Sequence, residues 1–410
     1  MKNLIPKSVF NNFINLSSIQ VITVLVQIIL YPFLINKIGA DEYGKIILAQ
    51  IIITYFQVFV VFGTDLAAIS LVSGEKKTRV LSHSFSMVFW GRLVLSCIGA
   101  FLYILILLYS DIDSIFLFFI ISIFEPAFTT RWYYHGREEL SNFTVPLVLS
   151  RLLISIMIFI SVGDESDRDI VIILLSFGYF LGVLLPFFLL RKRDIKIVKV
   201  KFLDIAVFFS SSFRLFLTNI ISIAKDKTSA IIIGLAISYE LLVYYEFAMK
   251  ISNVLSSFLS SFSSSFYPKF CQKFDFFMYK KTSRLVFLFS ATPLFFLVLF
   301  PKQINEIIFF IMGVSLDDVV SVFYFFGLLI FVRGHSYFMG LCCLMANKQN
   351  KDYTETLIYS SLLFFILIII MLSIGTLTMG KVCLAYSIAL VFEYFHRLFK
   401  CNKYLSKVSF

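Results

Sequence analysis

IVIILLSFGYFLGVLLPFFLL fills residues 170–190 without one Asp, Glu, Lys, Arg or His, and it runs directly into RKRDIKIVKVK at 191–201. A helix rises about 1.5 Å per residue, so the first stretch extends about 30 Å, the thickness of a bilayer's hydrocarbon core. The second sets six Lys and Arg beside a single Asp, a composition that stays in water. Together they read as a membrane-spanning helix ended by a basic connector.

Apolar runs of the same kind recur outward in both directions. Upstream they cover residues 10–35, 45–72, 80–109, 115–131 and 142–162; downstream they cover 203–233, 241–267, 285–300, 319–345, 354–374 and 377–396. The polar breaks between them are too short for an independent soluble domain. With 59% hydrophobic residues, 15% charged residues and a mean hydropathy of +0.91, the chain is predicted to be an all-α integral membrane protein with about 12 transmembrane helices. These divide into a six-helix lobe at 1–190, a basic linker at 191–202, a second six-helix lobe at 203–398 and a tail at 399–410. The run at 305–313 is too short to span and reads as an extension of the ninth helix or an interfacial segment. MKNLIPKSVFNNF at the start puts positive charge before an apolar run, but no small-residue cleavage site closes that run, so it stays attached as the first helix.

An even number of helices puts both ends on one side of the membrane. The segments on that side hold 24 Lys and Arg and the opposite loops hold 5, which predicts cytoplasmic termini and a cytoplasmic connector at 191–201, itself attracted to anionic headgroups. The net charge of +11 is then a topological signal, and nucleic-acid recognition has no soluble module to reside in. Six Cys lie without metal-ligand spacing and His83, His135, His335 and His396 sit on separate segments, so no metal site is predicted. No Gly-rich phosphate loop and no recognisable catalytic constellation is present. The chain is read as needing no cofactor and as not an enzyme, and ATP-driven transport by this chain alone is not expected.

A weak internal repeat accompanies the two lobes: IGADEYGKIILAQ at 38–50 and IGLAISYELLVYYEFAMKI at 233–251 both follow Ile-Gly with a tyrosine-containing helix start. Gly39 and Gly44 are expected to flank a tight turn, and Trp132, Tyr133 and Tyr134 to form an interfacial aromatic cluster.

Seven cations fall inside predicted spans, Arg92, Arg151, Arg214, Lys225, Lys227, Lys250 and Arg333, together with Asp65, Glu125, Asp226, Glu246 and Glu393. A charge facing lipid costs about 3 kcal/mol on an insertion scale, so these groups must face one another or a wet interior. Glu246 and Lys250, four apart, read as an ion pair, and Lys225, Asp226 and Lys227 as a partly self-neutralised cluster. Arg214 and Lys225 are eleven apart, so one helix face carries positive charge at two depths. Ser257, Ser261 and Ser264 continue the stripe of Lys250, and Gln20, Thr23 and Gln27 form another; each is either a polar cavity wall or a close-packed helix face. Arg214 has no acid three or four positions away, and is expected either to hold an anion or to bridge to Glu125 or Glu393. Arg214, Lys225, Lys250, Arg333, Arg92 and Arg151 are therefore candidate substrate-binding cations, and Asp65, Asp226 and Glu125 candidate gating or coupling acids, with Asp65 expected to pair with loop cations.

LINKIGADEYGKIILAQIIITYF at 34–56, VFGTDLAAIS at 61–70, RWYYHGREEL at 131–140, KDKTSAIIIG at 225–234, YYEFAMKI at 244–251 and FYPKF at 266–270 resemble, in order and spacing, the polysaccharide exporters of the multidrug/oligosaccharidyl-lipid/polysaccharide flippase superfamily, most closely the O-antigen flippases of Gram-negative bacteria. The resemblance implies two lobes around a central cavity, alternating access, and translocation of an undecaprenyl-diphosphate-linked oligosaccharide, the O-antigen repeat unit, from the cytoplasmic to the periplasmic leaflet of the bacterial inner membrane. Its implied partners are that lipid-linked oligosaccharide and membrane lipids, with other glycan-assembly membrane proteins as candidates. Where family members often have a single acid near the end of the seventh helix, this chain has Lys225, Asp226 and Lys227, which unsettles an ion-coupling role for Asp226. A drug or metabolite exporter of the same superfamily is the first alternative, disfavoured for cationic cargo by the excess of cavity cations. A saccharide polymerase or ligase is the second, disfavoured because the outer loops are short, the longest being about 301–318.

Overall fold

Glycine, proline and serine decide where the apolar runs stop and bend. The computed structural model describes residues 26–109, 113–272, 274–300, 302, 303, 306 and 317–408, and every regular element among them is helical. The expected stripe residues Gln20 and Thr23 and the segment 305–313 fall at least partly outside those residues. Helix α1 is described over Val26–Ile38 and α2 runs Ala40–Val61. Between them Gly39 alone makes the turn, at φ 83°; Gly44 does not flank it but lies buried inside α2, because one residue in a conformation open to glycine suffices to reverse the helix ends.

The second expected span is two helices. α2 ends at Val61 and α3, Thr64–Val72, begins after Phe62 and Gly63, both at positive φ (49° and 68°). A Cβ on Gly63 would lie 2.6 Å from the backbone nitrogen of Phe216, so only glycine lets the two backbones approach. Phe62 stacks on Phe216 with ring centroids 4.5 Å apart, which ties the break to the helix that passes it.

Helix α4 spans Thr78–Leu108. A 3₁₀ turn at Ser114–Phe119 leads into α5, Ile120–Phe128, and α6, Arg131–Gly136, follows after two residues. Pro126 inside α5 has no N–H to give the carbonyl four residues back; that carbonyl, of Ser122, instead accepts from the Gln57 amide at 3.0 Å. The break before α6 turns Trp132, Tyr133 and Tyr134 inward. They are buried in a core with Phe85 and Phe187 rather than set at an interface, since Tyr134 donates to the Pro186 carbonyl at 3.1 Å and rings from three helices pack around them. α7, Ser141–Ser161, and α8, Arg168–Leu189, follow.

After α8 a 3₁₀ turn at Leu190–Arg193 opens the basic connector, and the remainder of it runs without regular structure against α4. Its backbone N–H groups at Lys196 and Val198 donate to the hydroxyls of Ser82 (3.2 Å) and Ser86 (2.8 Å), and the Trp90 indole N–H donates to the Val198 carbonyl (3.2 Å). Ser82, Ser86 and Trp90 are four residues apart, one stripe of α4. Then come α9, Phe202–Ala236, α10, Tyr239–Gln272, α11, Phe276–Leu299, and α12, Asp317–Phe338, which continues as a π-helical stretch at Met339–Met345. α13, Asn350–Ser373, and α14, Met379–Val408, complete the chain.

Nine helices among the described residues are long and apolar enough to cross a membrane; with α2 and α3, and α5 and α6, taken as interrupted spans, the chain is a multi-pass membrane protein of about 12 helices. It divides into two compact units, Met1–Ile223 and Ala224–Phe410. The division falls inside α9; the connector and the first half of α9, through Phe216, pack on α4 and on the Phe62–Gly63 break of the first unit.

Candidate functional site

In the first unit, the polar groups collect at the break between α2 and α3. Arg92 of α4 is fully buried, and its guanidinium donates to the Thr64 hydroxyl (2.7 and 3.0 Å), to Asp65 (2.5 Å) and to the Pro126 carbonyl (3.1 Å). A buried guanidinium needs its fork filled, and here the protein fills it. Arg92 is accordingly not a cation open to a ligand. Asp65 answers to this membrane-embedded arginine rather than to a loop cation, while its own side chain stays half-exposed.

Glu125, on α5, accepts from the Gln57 amide at 3.1 Å, and the positive charge acting on it is that of Arg151. Arg151 is half-buried on α7 and, with Gln27 and Ser155, lines a cavity of about 30 Å³, the scale of a single water.

Arg214 differs from all of these. It is exposed, it stands about 18 Å along α9 from the helix start, and among the described residues neither Glu125, Glu393 nor any other acid bridges it. Its neighbours Phe213 and Phe216 form a ring cluster with Phe62 of the α2 break. The sequence alternative of a salt bridge to Glu393 fails because Glu393 is already taken.

The second unit holds that pairing. Lys225 donates to Glu393 at 2.6 Å and to Ser360 at 3.0 Å, and Arg397 bridges the other Glu393 oxygen at 2.7 Å. All three charged groups are buried. Arg397 also donates to the Ser336 carbonyl and hydroxyl and to Thr356. Lys225 is thus engaged in a buried network and not presented to a ligand. Arg397 lies just beyond the last expected apolar run, which ends at 396; α14 runs on past His396 to Val408 and carries it inward, four residues from Glu393.

The run 225–227 does not neutralise itself. Successive residues point about 100° apart on a helix, so each finds a separate partner: Lys225 takes Glu393, Lys227 takes Glu246 at 3.1 Å, and Asp226 takes Arg333 at 3.1 Å. Glu246, expected to pair with Lys250, is bridged by Lys227, and Lys250 is half-buried. Arg333 also donates to Asn253 at 2.7 Å and meets the Tyr386 hydroxyl, which donates to Asp226 at 2.6 Å. Arg333 and Asp226 keep 18% and 36% of their side-chain surface, so this pair stays open to a solute in a way the Lys225 network is not. Of the serine stripe of α10, Ser257 donates to the Val254 carbonyl of its own helix and the Ser264 hydroxyl meets the Tyr337 hydroxyl of α12 at 3.4 Å. No group of three or more metal-ligating side chains forms among the described residues.

Residues 9–274 match the family described as polysaccharide biosynthesis protein. A protein of Escherichia coli (strain K12), named as a candidate O-antigen transporter, is 26% identical over 167 residues, 39% of this chain and 40% of its own length. The matched segment is thus well under two thirds of that relative. Among solved structures, the lipid II flippase MurJ in an inward closed conformation superposes with a TM-score of 0.74 at 18% identity, covering 94% of this chain and 87% of its own. An inward-facing multidrug resistance MATE family transporter of the MOP superfamily superposes with a TM-score of 0.63 at 13% identity, covering 94% and 96%. At these identities the two structures establish the fold that this chain shares.

Proposed function

We propose, since the chain belongs to the polysaccharide biosynthesis protein family, that it is a flippase carrying an undecaprenyl-diphosphate-linked oligosaccharide, of the O-antigen repeat-unit kind, from the cytoplasmic to the periplasmic leaflet of a bacterial inner membrane by alternating access. The observation that carries the reading is Arg214: a guanidinium deep in a membrane helix, exposed, with no acid bridging it among the described residues. Such a group is tolerated beside water or an anion, and it can grip a diphosphate with two parallel hydrogen bonds. A diphosphate is the part of a lipid-linked saccharide that hydrocarbon excludes most strongly, while its lipid tail stays in the bilayer. Arg151 in the first unit, and Arg333 and Lys250 in the second, are the further candidate substrate cations. Asp226, half-exposed and bridged to Arg333, is the candidate gating acid of the second unit. The termini and the 191–201 connector are cytoplasmic in this account.

The test is in cells that make such a glycan. Arg214→Ala and Arg214→Glu should leave lipid-linked repeat units on the leaflet where they are made, with the protein at normal levels in the membrane, and Arg214→Lys should transport in part. If Arg214→Ala is inactive only because the protein disappears, the residue is structural and the anion role fails.

A further inference from the structure

Helix α11 carries a feature that translocation does not use. Lys280 and Arg284 line two adjoining depressions of about 420 and 500 Å³, the larger also touching Lys281 and the smaller closing against Ser283, Asn402 and Ser406. All three cations are exposed. No carboxylate among the described residues bridges them, and Lys280 meets only the face of Phe276, 6.0 Å away. Lys400 and Arg168, in contrast, hold acids: Lys400 holds Asp352 and Glu355, and Arg168 holds Glu42 and Asp113.

The same helix face changes character within one turn. Thr282, Val286 and Ser290 turn inward and are buried. On the outer side, Lys281 and Arg284 are followed at helical spacing by Leu285, Leu288, Phe289 and Phe295, which expose 42%, 64%, 61% and 60%. Exposed leucine and phenylalanine on a membrane helix are what lipid tails cover, so the cations stand where the tails of that lipid would meet its headgroup. The depressions are of the size that ligand pockets take, about 300–1,000 Å³. Cations in the loops reach the surface potential of anionic lipid, but a cationic pocket with hydroxyl and amide donors beside it gives a phosphate fixed hydrogen-bond partners as well.

We propose that Lys280, Lys281 and Arg284 bind the phosphate headgroup of an anionic phospholipid whose acyl chains lie along Leu285, Leu288 and Phe289. Arg284 and Lys280 hold the phosphate, and Asn402 and Ser283 orient the headgroup. The site lies wholly within the second unit and does not depend on what the protein carries.

The experiment is native mass spectrometry of the full chain in neutral detergent, titrated with phosphatidylglycerol and, separately, with phosphatidylcholine of the same acyl chains. Wild type should retain phosphatidylglycerol in preference to phosphatidylcholine. K280Q/K281Q/R284Q should weaken that retention by about tenfold or more, as expected for lost charge-assisted hydrogen bonds. K76Q/K77Q/R79Q, which removes the same charge from the exposed start of α4, should leave it unchanged. Inorganic phosphate should fail to displace the lipid. Equal retention of both lipids, equal loss in the two triple variants, or displacement by phosphate at lipid-equivalent concentration would each overturn the proposal, the last by showing a free-anion site. If the triple variant unfolds early in a thermal scan, R284Q and K280Q alone decide, each expected to weaken phosphatidylglycerol several-fold with an unchanged midpoint.

Discussion

Glu393→Gln is the substitution whose consequence the second unit fixes most sharply. Glu393 sits between Lys225 and Arg397, with N–O distances of 2.6 and 2.7 Å, and the side chains of both cations are 4% exposed. The triad has one more positive than negative charge. Removing the carboxylate leaves two buried cations facing each other, and breaking a buried pair in this way costs about 3–5 kcal/mol. Removing Lys225 instead leaves Glu393 and Arg397 as a neutral pair, still bound to Ser360, Ser336 and Thr356. Lys225→Met should therefore cost less, about 1–3 kcal/mol for one charged hydrogen-bond partner. On the thermal scaling of soluble units of about this size, about 2–4 °C per kcal/mol, Glu393→Gln should lower the midpoint by roughly 6–20 °C, and Lys225→Met by distinctly less. Fluorescence-detected size exclusion after heating in detergent measures both. Equal losses, or a Glu393→Gln midpoint within 2 °C of wild type, would refute the charge-count argument.

Two further predictions concern the first unit. Gly63→Ala places a Cβ 2.6 Å from the Phe216 nitrogen at a φ of 68°, so it should cost more than about 3 kcal/mol and show as lost monodisperse protein, whereas Gly74→Ala, with nothing within 4 Å at φ 75°, should be far milder; similar yields for both would contradict the close approach. Ser86→Ala removes the acceptor of the Val198 N–H, worth about 1 kcal/mol, so amide exchange at Val198 should speed up about fivefold while exchange within α4 stays as in wild type.

Much of the helix pattern is legible because lipid imposes one rule on every span, and the charge-free run 170–190 states it without ambiguity. The break at Phe62–Gly63 is less legible, since a single glycine among apolar residues signals nothing until Phe216 is seen to pass against it. Trp132 to Tyr134 were expected at an interface on residue type alone, and the break at Thr129–Thr130 that turns them inward lies in no hydropathy average. Charge partners separate along the same line. Glu393 and Arg397, four apart, could be paired from sequence once the last helix is allowed past His396, whereas Lys225 and Glu393 are 168 residues apart and only folding joins them. Of the candidate cations, Arg92 and Lys225 are consumed by the fold, whereas Arg214 is exposed and Arg333, Lys250 and Arg151 are half-buried.

The account's central claim is translocation of a lipid-diphosphate-linked saccharide, and its most direct test is a vesicle assay with purified protein and a membrane-impermeant glycosidase that removes the saccharide. Vesicles are loaded with the lipid-linked saccharide on both leaflets. Wild type should expose the inner-leaflet pool, so that cleavage goes nearly to completion, while Arg214→Glu vesicles and protein-free vesicles stop when the outer leaflet is consumed. Cleavage that halts at the outer leaflet with correctly inserted wild-type protein, or that completes equally with Arg214→Glu, would contradict it.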